Sequence, residues 1–262
     1  MDGIYVILES LIQGRWLAVW QRNFYVWQKM LVPSILANFG EPVLYLLTFG
    51  YGFGYFIGTL EGVPYIIFLA SGILCTSAMQ TATFECLYSA YTRMAIQQTW
   101  GGILATPLNV ADVLLGEIIW AATKSLLSVI IILLVAAIFG MVLSWYAIWA
   151  VLPMFLLAFC FAAMAISITA LANGYDFFLY YVILVITPIA LLSGVFFPLE
   201  NLPLSLQFAM YCLPLIHAIE LVRPLFIGQI PFNIGAHLSV IAIYSIIATY
   251  VALILLKRRL EG

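Results

Sequence analysis

Four charged residues lie within, or at the edge of, long apolar stretches of this 262-residue chain: Glu41, Glu85, Glu117 and Lys124. A charge inside a lipid bilayer is costly, so each of these side chains is a functional hypothesis by default. Glu117 and Lys124 are seven residues apart and therefore lie near one face of a helix. Two interpretations stay open. One is a polar layer between helices whose ion pairs change as a pathway opens; the other is a static network of mutually satisfied ion pairs.

No motif for catalysis or nucleotide binding accompanies these charges. The sequence lacks a G-x-x-x-x-G-K-[ST] phosphate loop, so we do not expect this chain to bind ATP in that way. It also lacks H-E-x-x-H, G-x-S-x-G and glycine-rich dinucleotide motifs. The four cysteines have no metal-ligand spacing, and His217 and His237 are isolated in the sequence, which is typical of packing histidines. We therefore expect no catalytic residue, no metal site and no cofactor bound by this chain.

The chain contains six apolar runs, of which the first three contain or border the four charges. They cover residues 33–57, 64–84, 113–139, 147–171, 178–197 and 234–256. Each is near or above the roughly 20 residues that a helix needs to cross the bilayer, and the continuous pattern favours helices over a β-barrel. Charged residues make up only 8% of the chain, against roughly 25% in soluble domains. The sequence predicts an all-α polytopic membrane protein with six transmembrane helices in a single domain, residues 1–262.

Basic residues indicate how these spans are oriented. With six spans, seven of the nine lysines and arginines fall on one side (Arg15, Arg22, Lys29, Arg93, Lys257, Arg258 and Arg259). Because basic residues concentrate in cytoplasmic loops, that side is predicted to be the cytoplasm. Both termini are then cytoplasmic.

Residues 11–29 show an amphipathic helical pattern before the first run. Aromatic residues recur on one face (Trp16, Trp20, Phe24 and Trp27), and basic residues recur every seven positions on another (Arg15, Arg22 and Lys29). Such a pattern suits the lipid headgroup region and predicts an interfacial helix. It is either a topology anchor or a cuff that also contacts a cytoplasmic partner.

The first apolar run combines small and aromatic residues. Gly50, Gly54 and Gly58 recur at the four-residue spacing that lets helices approach closely. Aromatic residues alternate with them (Tyr45, Phe49, Tyr51, Phe53, Tyr55 and Phe56). These rings either belong to an outer-leaflet aromatic belt, or Tyr45, Phe49, Tyr51, Phe53 and Tyr55 line a path for a sugar or lipid.

Two connections are too patterned to be simple loops. Residues 88–109 are too polar to span, and breaker residues predict a short helix ending near Gly101–Gly102. Residues 196–231 hold five of the eleven prolines and two apolar segments, 204–212 and 215–226, too short to cross a bilayer. They predict an outer re-entrant helical hairpin between the fifth and sixth spans, where Glu220 and Arg223 are spaced to pair.

Several short stretches match one family in the right order along nearly the whole chain. They are EPVLYL at 41–46 with GYGFG at 50–54, FE at 84–85, ILATPLN at 103–109 with GE at 116–117, SGVFFPLENLP at 193–203, and LPL at 213–215 with Glu220 and Arg223. On these residues the chain resembles the membrane subunits of ABC-2 type exporters, especially the nodulation-protein J branch linked to lipo-oligosaccharide export.

The resemblance implies a homodimeric pore in the bacterial inner membrane. Two copies of a separate ABC ATPase, which bind ATP and Mg, would power export of an amphiphilic substrate, with lipid and no nucleic acid as further partner. Residues 88–109 would contain the coupling helix, and residues 196–231 would cap the outer exit. The implied coupling residues are Arg93, Gln97, Gln98, Trp100, Gly101, Thr106, Pro107 and Asn109. The implied outer-hairpin residues are Phe196, Phe197, Pro198, Pro203, Pro214, Glu220 and Arg223.

Other function classes remain open from the residues. An exporter of drugs or other hydrophobic small molecules would share this architecture. An ion-coupled carrier would use Glu41, Glu117 and Lys124 as a proton relay. An intramembrane transferase would need a catalytic constellation, and the sequence contains none that is convincing.

Overall fold

The computed structural model describes residues 2–60, 62–199 and 202–260, without the side chains of residues 2–4, 32, 35–39 and 41. The side chain of Glu41, and residues 200–201 of the predicted outer hairpin, therefore lie outside the described part of the chain. The protein is mostly helical, at 82%, as the apolar runs predict.

Twelve α-helices form the described part of the chain. They are α1 (Asp2–Gln13), α2 (Trp16–Gln28), α3 (Leu31–Ile57), α4 (Tyr65–Phe84), α5 (Thr99–Leu104), α6 (Val110–Ile138), α7 (Val151–Leu171), α8 (Asp176–Tyr181), α9 (Thr187–Leu192), α10 (Leu204–Tyr211), α11 (Pro214–Phe226) and α12 (Ile234–Leu260). Turns of π-helix extend α4 (Glu85–Ala90 and Thr92–Ile96) and join α8 to α9 (Val182–Ile186), and a 3₁₀-helix, Trp145–Ala150, leads into α7. A short antiparallel hairpin, β1 (Thr59–Leu60) and β2 (Val63–Pro64), connects α3 to α4.

Among the described residues, four helical stretches are long and apolar enough to cross a membrane. They are Tyr65–Ile96, Val110–Ile138, Trp145–Leu171 and Ile234–Leu260, and α10 with α11 makes a fifth if the pair counts as one broken span. The chain is therefore a multi-pass membrane protein. The other two predicted spans are helical, but their uninterrupted apolar parts, Pro42–Ile57 and Asp176–Leu192, are shorter. The count of six spans stays a prediction.

The helices pack around α7. Helices α4, α6 and α12 all lie against it, and small side chains such as Ala158, Ala162 and Ala165 are fully buried there. Since lipid tails are as apolar as leucine, association of such helices depends on close packing of small residues. The carboxyl half of α7 also faces the π-helical turns that follow α4.

The N-terminal segment corrects one prediction. Instead of a single helix over residues 11–29, the chain forms α1 and α2, separated at Gly14, whose φ of +66° suits glycine and ends the first helix. The aromatic face of α2 does not simply face headgroups, because Trp20, Phe24 and Trp27 all pack against the ring of Trp120 in α6. The indole N–H of Trp20 also donates to Thr123 Oγ1 at 3.1 Å.

Of the three spaced glycines in and just after α3, Gly50 lies at a close helix contact among the described residues. A Cβ atom added to Gly50 would lie 2.7 Å from Ile66 Cγ1 of α4, whereas at Gly54 and Gly58 it would meet nothing within 4 Å among the described residues. Gly58 instead ends α3 with a φ of +70°. The contact at Gly50 agrees with the four-residue spacing, and close packing at the other two positions stays a prediction.

The segment predicted to form the outer hairpin contains two short helices that differ in burial. Helices α10 and α11 meet at 92°. Helix α11 is largely buried against α4 and α12, whereas α10 leaves Leu204, Leu206 and Phe208 exposed. The fifth predicted run stops being helical at Leu192, five residues early, because Gly194 turns the backbone at a φ of +75°. Whether the pair re-enters the membrane stays a prediction.

Candidate functional site

A buried cluster of four charged side chains lies between α4 and α6. The Arg93 Nη2 atom donates to Glu85 Oε1 at 3.0 Å. Arg93 also binds both oxygens of Glu117: Nε donates to Oε1 at 3.0 Å and Nη2 donates to Oε2 at 2.6 Å. Lys124 Nζ donates to Glu85 Oε2 at 2.8 Å. The side chains of Glu85 and Glu117 are 4% and 1% exposed. Because two acids face two bases, the cluster is neutral as a whole, which is the condition for burying charge at acceptable cost.

Two tryptophans donate further hydrogen bonds to the carboxylates. Trp100 Nε1 donates to Glu117 Oε1, and Trp120 Nε1 donates to Glu85 Oε1, both at 3.0 Å. Both indole rings are buried. Each carboxylate therefore accepts hydrogen bonds from both a cation and an indole, so that neither is left as an uncompensated buried charge.

The π-helical turns after α4 position Arg93. The helix does not end at Phe84 but continues in wide turns through Ile96, and this places Glu85 and Arg93 on the side facing α6. Turns of π-helix inside longer helices are frequent at functional sites, because they rotate the following side chains relative to the regular α-helical register. Long side chains in helices also point back toward the N-terminus, which brings the Arg93 guanidinium toward Glu85.

The predicted site residues are grouped differently in the structure than in the sequence-based prediction. Of the predicted polar layer, Glu85, Glu117 and Lys124 come together, while the Glu41 side chain lies outside the described residues. Arg93 and Trp100, which belong to the predicted coupling set, lie in the buried cluster, and their role in coupling stays a prediction. Sequence reasoning missed Trp120, whose indole N–H is a donor within the same apolar run as Glu117.

Helix α5 connects this cluster to an exposed surface. The chain turns sharply at Gln98, which has a left-handed φ of +51°, and α5 then runs from Thr99 to Leu104. This is close to the predicted short helix, which was expected to end two residues earlier. The exposed members of the predicted coupling set are Gln97, Gln98, Gly101, Thr106 and Pro107.

Asn109 has a local structural role. Its side chain accepts a hydrogen bond from the backbone N–H of Asp112, and the Asp112 carboxylate accepts one from the Asn109 N–H, each within 2.9 Å. This reciprocal arrangement is a capping box that starts α6. Ser10 of α1 donates to the same Asp112 carboxylate and so ties the N-terminal helix to this end of α6.

Helix α2 lies across the cluster. Arg22 NH1 donates to Asn23 Oδ1 at 2.9 Å, and its NH2 lies 3.5 Å from Thr99 Oγ1 at the start of α5. Burial and the neighbouring Arg93 charge both lower the pKa of Arg22, while Glu117 acts in the opposite direction. Positive charge is therefore crowded where α2 meets the cluster.

On the other side of the protein, Arg223 holds the turn after α9. Its NH2 donates to the carbonyl oxygen of Gly194 at 2.7 Å, and its guanidinium lies 3.6 Å from the centre of the Phe68 ring. Cation–π contacts of this kind add to the hydrogen bond when both groups are shielded from water. Glu220 and Arg223 both line a polar cavity of about 260 Å³.

The remaining predicted outer residues are spread over this region. Phe196 packs edge-on against Phe49 of α3 and its carbonyl oxygen accepts from the Tyr65 hydroxyl. Phe197 is exposed and Pro198 is buried. Pro203 and Pro214 stand at the starts of α10 and α11, where a proline costs no helical hydrogen bond.

The aromatic residues of α3 divide between two arrangements. Tyr45, Phe49 and Phe53 form a continuous stack, with ring centres 5.5 and 5.3 Å apart. Tyr51 and Tyr55 are exposed, at 56% and 87%. That these rings line a path stays a prediction.

The two histidines are not isolated in space, contrary to the expectation from sequence. Their Nδ1 atoms lie 2.9 Å apart across α11 and α12, and His217 Nε2 lies 2.9 Å from the Tyr211 carbonyl oxygen. Within the described ranges, no three His, Cys, Asp or Glu side chains are grouped to hold a metal ion.

Comparison with known proteins gives a consistent picture. A family model described as "ABC-2 type transporter" matches residues 11–227. Nodulation protein J of Rhizobium leguminosarum bv. viciae is 44% identical over 246 residues, 94% of this chain and 95% of that protein. Nodulation protein J of Rhizobium meliloti (strain 1021) is 41% identical over 261 residues, 99% of each chain. The Inner membrane transport permease YadH of Escherichia coli (strain K12) is 24% identical over 230 residues, 87% of this chain and 86% of that protein.

Proposed function

The chain belongs to the ABC-2 type transporter family, and from this premise we propose that it is the membrane half of an ATP-driven exporter of an amphiphilic substrate. Because members of this family are permease subunits of ABC transporters, the chain is expected to work in a complex with an ATPase partner. In this proposal two copies of the chain form a homodimer, with one ATPase on each copy. ATP and Mg bind to the ATPase and not to the permease.

The proposed topology follows the distribution of charge. The whole chain, residues 1–262, forms one transmembrane domain with six spans in the bacterial inner membrane, and both termini are cytoplasmic. Seven of the nine basic residues then lie on the cytoplasmic side, in agreement with the positive-inside rule. The name of the YadH relative includes the inner membrane, which supports the same location here.

One observation carries the proposed coupling mechanism: α5 is exposed at its surface but anchored through Trp100 in the charged cluster. The exposed residues around it, Gln98, Gly101 and Pro107 among them, would contact the ATPase. The buried Trp100 indole binds Glu117 of α6 at 3.0 Å, and Arg93 joins Glu117 to Glu85. A displacement of α5 by the ATPase would therefore pull on a spanning helix through hydrogen bonds to a charged group, which are the stronger kind.

The proposed substrate class is glycolipid, lipo-oligosaccharide or polysaccharide-like. It is supported by the relatives named Nodulation protein J and by the exposed aromatic rings of α3, because such rings suit contacts with sugars and acyl chains. The 196–231 segment would form a re-entrant cap at the outer exit. An exporter of drugs or other hydrophobic small molecules is the alternative within the same family.

An ion-coupled carrier is less well supported by the geometry. A proton relay needs carboxylates that exchange protons easily, whereas Glu85 and Glu117 are each bound by cations and an indole. Protonating either one would leave a buried cation with a weaker partner. The cluster thus favours a mechanical role over proton transfer.

Composition of the native complex is the first test. The chain is purified from its host in gentle detergent and weighed by native mass spectrometry. Two permeases with two ATPases are expected. A stable monomer or homodimer without ATPase, in several detergents, would contradict the proposal. A transport assay in proteoliposomes gives a second test: transport that stops when ion gradients are collapsed, although ATP is present, would also contradict it.

Coupling is tested with a charge placed on the exposed surface next to α5. Pro107→Glu should abolish transport and substrate-stimulated ATP hydrolysis while the complex still folds. Thr59→Glu places the same charge on the exposed β1 strand, at the opposite end of α4, and serves as the control. Equal behaviour of the two variants would mean that α5 is not the docking element.

A further inference from the structure

A cavity of about 300 Å³ lies beside the charged cluster, and the proposed coupling mechanism does not use it. Helix α2 and the start of α3 form one wall, and the π-helical turns after α4 together with α6 form the other. Its floor includes Glu85 and Trp120, which are buried, while Val26 and Met30 on its rim are 51% and 65% exposed. The cavity therefore joins a polar floor to an apolar, accessible edge.

Two residues that line this cavity carry a buried hydrogen-bond donor without a partner among the described residues. The donors are Asn23 Nδ2 and Trp27 Nε1, on successive turns of α2. Asn23 is only 3% exposed. Its amide orientation is set by Arg22, because a guanidinium can only donate and must therefore face Asn23 Oδ1, which turns Nδ2 the other way. A buried donor left unpaired costs free energy, so such a group calls for a partner that accepts.

The charge of the lining favours an anion. Three basic side chains, Arg22, Arg93 and Lys124, line the cavity together with one carboxylate, Glu85. Glu85 and the adjacent Glu117 neutralise Arg93 and Lys124, so Arg22 is the cation in excess. The Glu85 carboxylate is already occupied by Arg93, Lys124 and Trp120. A ligand that enters therefore meets hydrogen-bond donors and the positive charge of Arg22, and the hydroxyls of Ser34 and Ser89 supply further donors.

We propose that this cavity binds the phosphate group of a membrane amphiphile. Phosphate offers several acceptor oxygens and negative charge, which matches the unpaired donors and the charge of Arg22. The exposed Val26 and Met30 side chains at the rim would lie against the acyl chains, as amphipathic interfacial helices do. The placement of this site in the inner leaflet rests on the proposed topology, but binding of the phosphate group does not.

Lipid competition tests the proposal on the permease purified from its host, with whatever subunits it retains, and without ATP. The preparation is equilibrated with equal amounts of phosphatidylglycerol and a galactosyl diacylglycerol of the same acyl chains, and the retained lipids are counted by native mass spectrometry. We expect phosphatidylglycerol to be preferred. Trp27→Phe removes one donor but keeps a ring, and it should weaken retention of phosphatidylglycerol about tenfold, the scale of one hydrogen bond to a charged group.

Two further variants make the result specific. Asn23→Asp keeps the oxygen that Arg22 needs and replaces the free donor with a negative charge, so it should abolish the preference. Trp16→Phe is the matched control, because the Trp16 indole is also buried without a partner among described residues but does not line this cavity. Its retention of phosphatidylglycerol should equal that of the wild type.

Three results would overturn the proposal: equal retention of the two lipids, equal effects of Trp16→Phe and Trp27→Phe, or complete displacement of phosphatidylglycerol by inorganic phosphate at equal concentration. The last would assign the cavity to a soluble phosphate compound instead of a lipid. Since ATP and transport are not involved, failure of the export function would leave this result unchanged, and the two proposals fail separately.

Discussion

Replacing Glu117 by glutamine should destabilise the bundle more than any surface change of the same kind. The Glu117 carboxylate is 1% exposed and accepts three hydrogen bonds, two from Arg93 and one from Trp100. The glutamine amide would offer one oxygen and would turn its own donors toward Arg93. The cluster would then hold two cations against one carboxylate, Glu85.

The expected cost follows from the burial of the cluster. Removing one partner of a buried ion pair costs about 3–5 kcal/mol. Arg93 keeps Glu85 at 3.0 Å and its side chain is 13% exposed, so water and the remaining partner should hold the loss near the lower end, about 3 kcal/mol. The control is Glu9→Gln on α1, since Glu9 is exposed and accepts a local hydrogen bond from Gln13 of the same helix. Its cost should stay within about 0.5 kcal/mol.

A double-variant cycle separates charge balance from packing. Arg93→Gln leaves the cluster negative, Glu117→Gln leaves it positive, and the two together restore neutrality around the Glu85–Lys124 pair. Unfolding in mixed micelles should therefore show that the double variant costs less than the sum of the single variants, by about 1–3 kcal/mol. Additive costs, or a Glu117→Gln variant as stable as Glu9→Gln, would refute this description of the cluster.

The same cycle distinguishes a gate from a static network. If the cluster transmits motion from α5, the double variant should regain stability but lose the coupling between ATP hydrolysis and transport, because the Arg93–Glu117 link is gone. Normal transport by a folded double variant would mean that the ion pairs only stabilise the bundle.

Two further predictions concern helix packing and the histidine pair. A Cβ on Gly116 would lie 2.5 Å from Val19 Cβ, so Gly116→Ala should displace α2 and lower the melting temperature, whereas Gly102→Ala, with nothing within 4 Å, should not. The Nδ1–Nδ1 hydrogen bond of His217 and His237 needs one neutral ring. The folded state should therefore bind fewer protons than the unfolded state, and stability should fall as the pH drops below about 6.5; a His237→Phe variant that keeps the same pH dependence would contradict this.

Several features could be predicted from the sequence alone because they depend on residues that are close together in the chain. All six apolar runs are helical over most of their length. A helix satisfies its own backbone groups and needs no distant partner, so a continuous hydrophobic stretch is enough to predict it. The short helix near Gly101 and the break at 196–231 follow from glycine and proline, whose effects on the backbone are equally local. Because charges are rare in or beside apolar runs, the sequence also predicts that Glu85, Glu117 and Lys124 belong to one polar layer.

The partners of these charges were decided only by tertiary structure. Arg93 and Trp100 lie in a polar link that sequence assigns to the surface, yet π-helical turns and the bend at Gln98 direct both into the cluster. The packing of Trp20 on Trp120 and the pairing of His217 with His237 join residues far apart in the chain. Such contacts depend on the rotation and depth of whole helices, which arise from the packing of every neighbour at once, and no short sequence pattern encodes them.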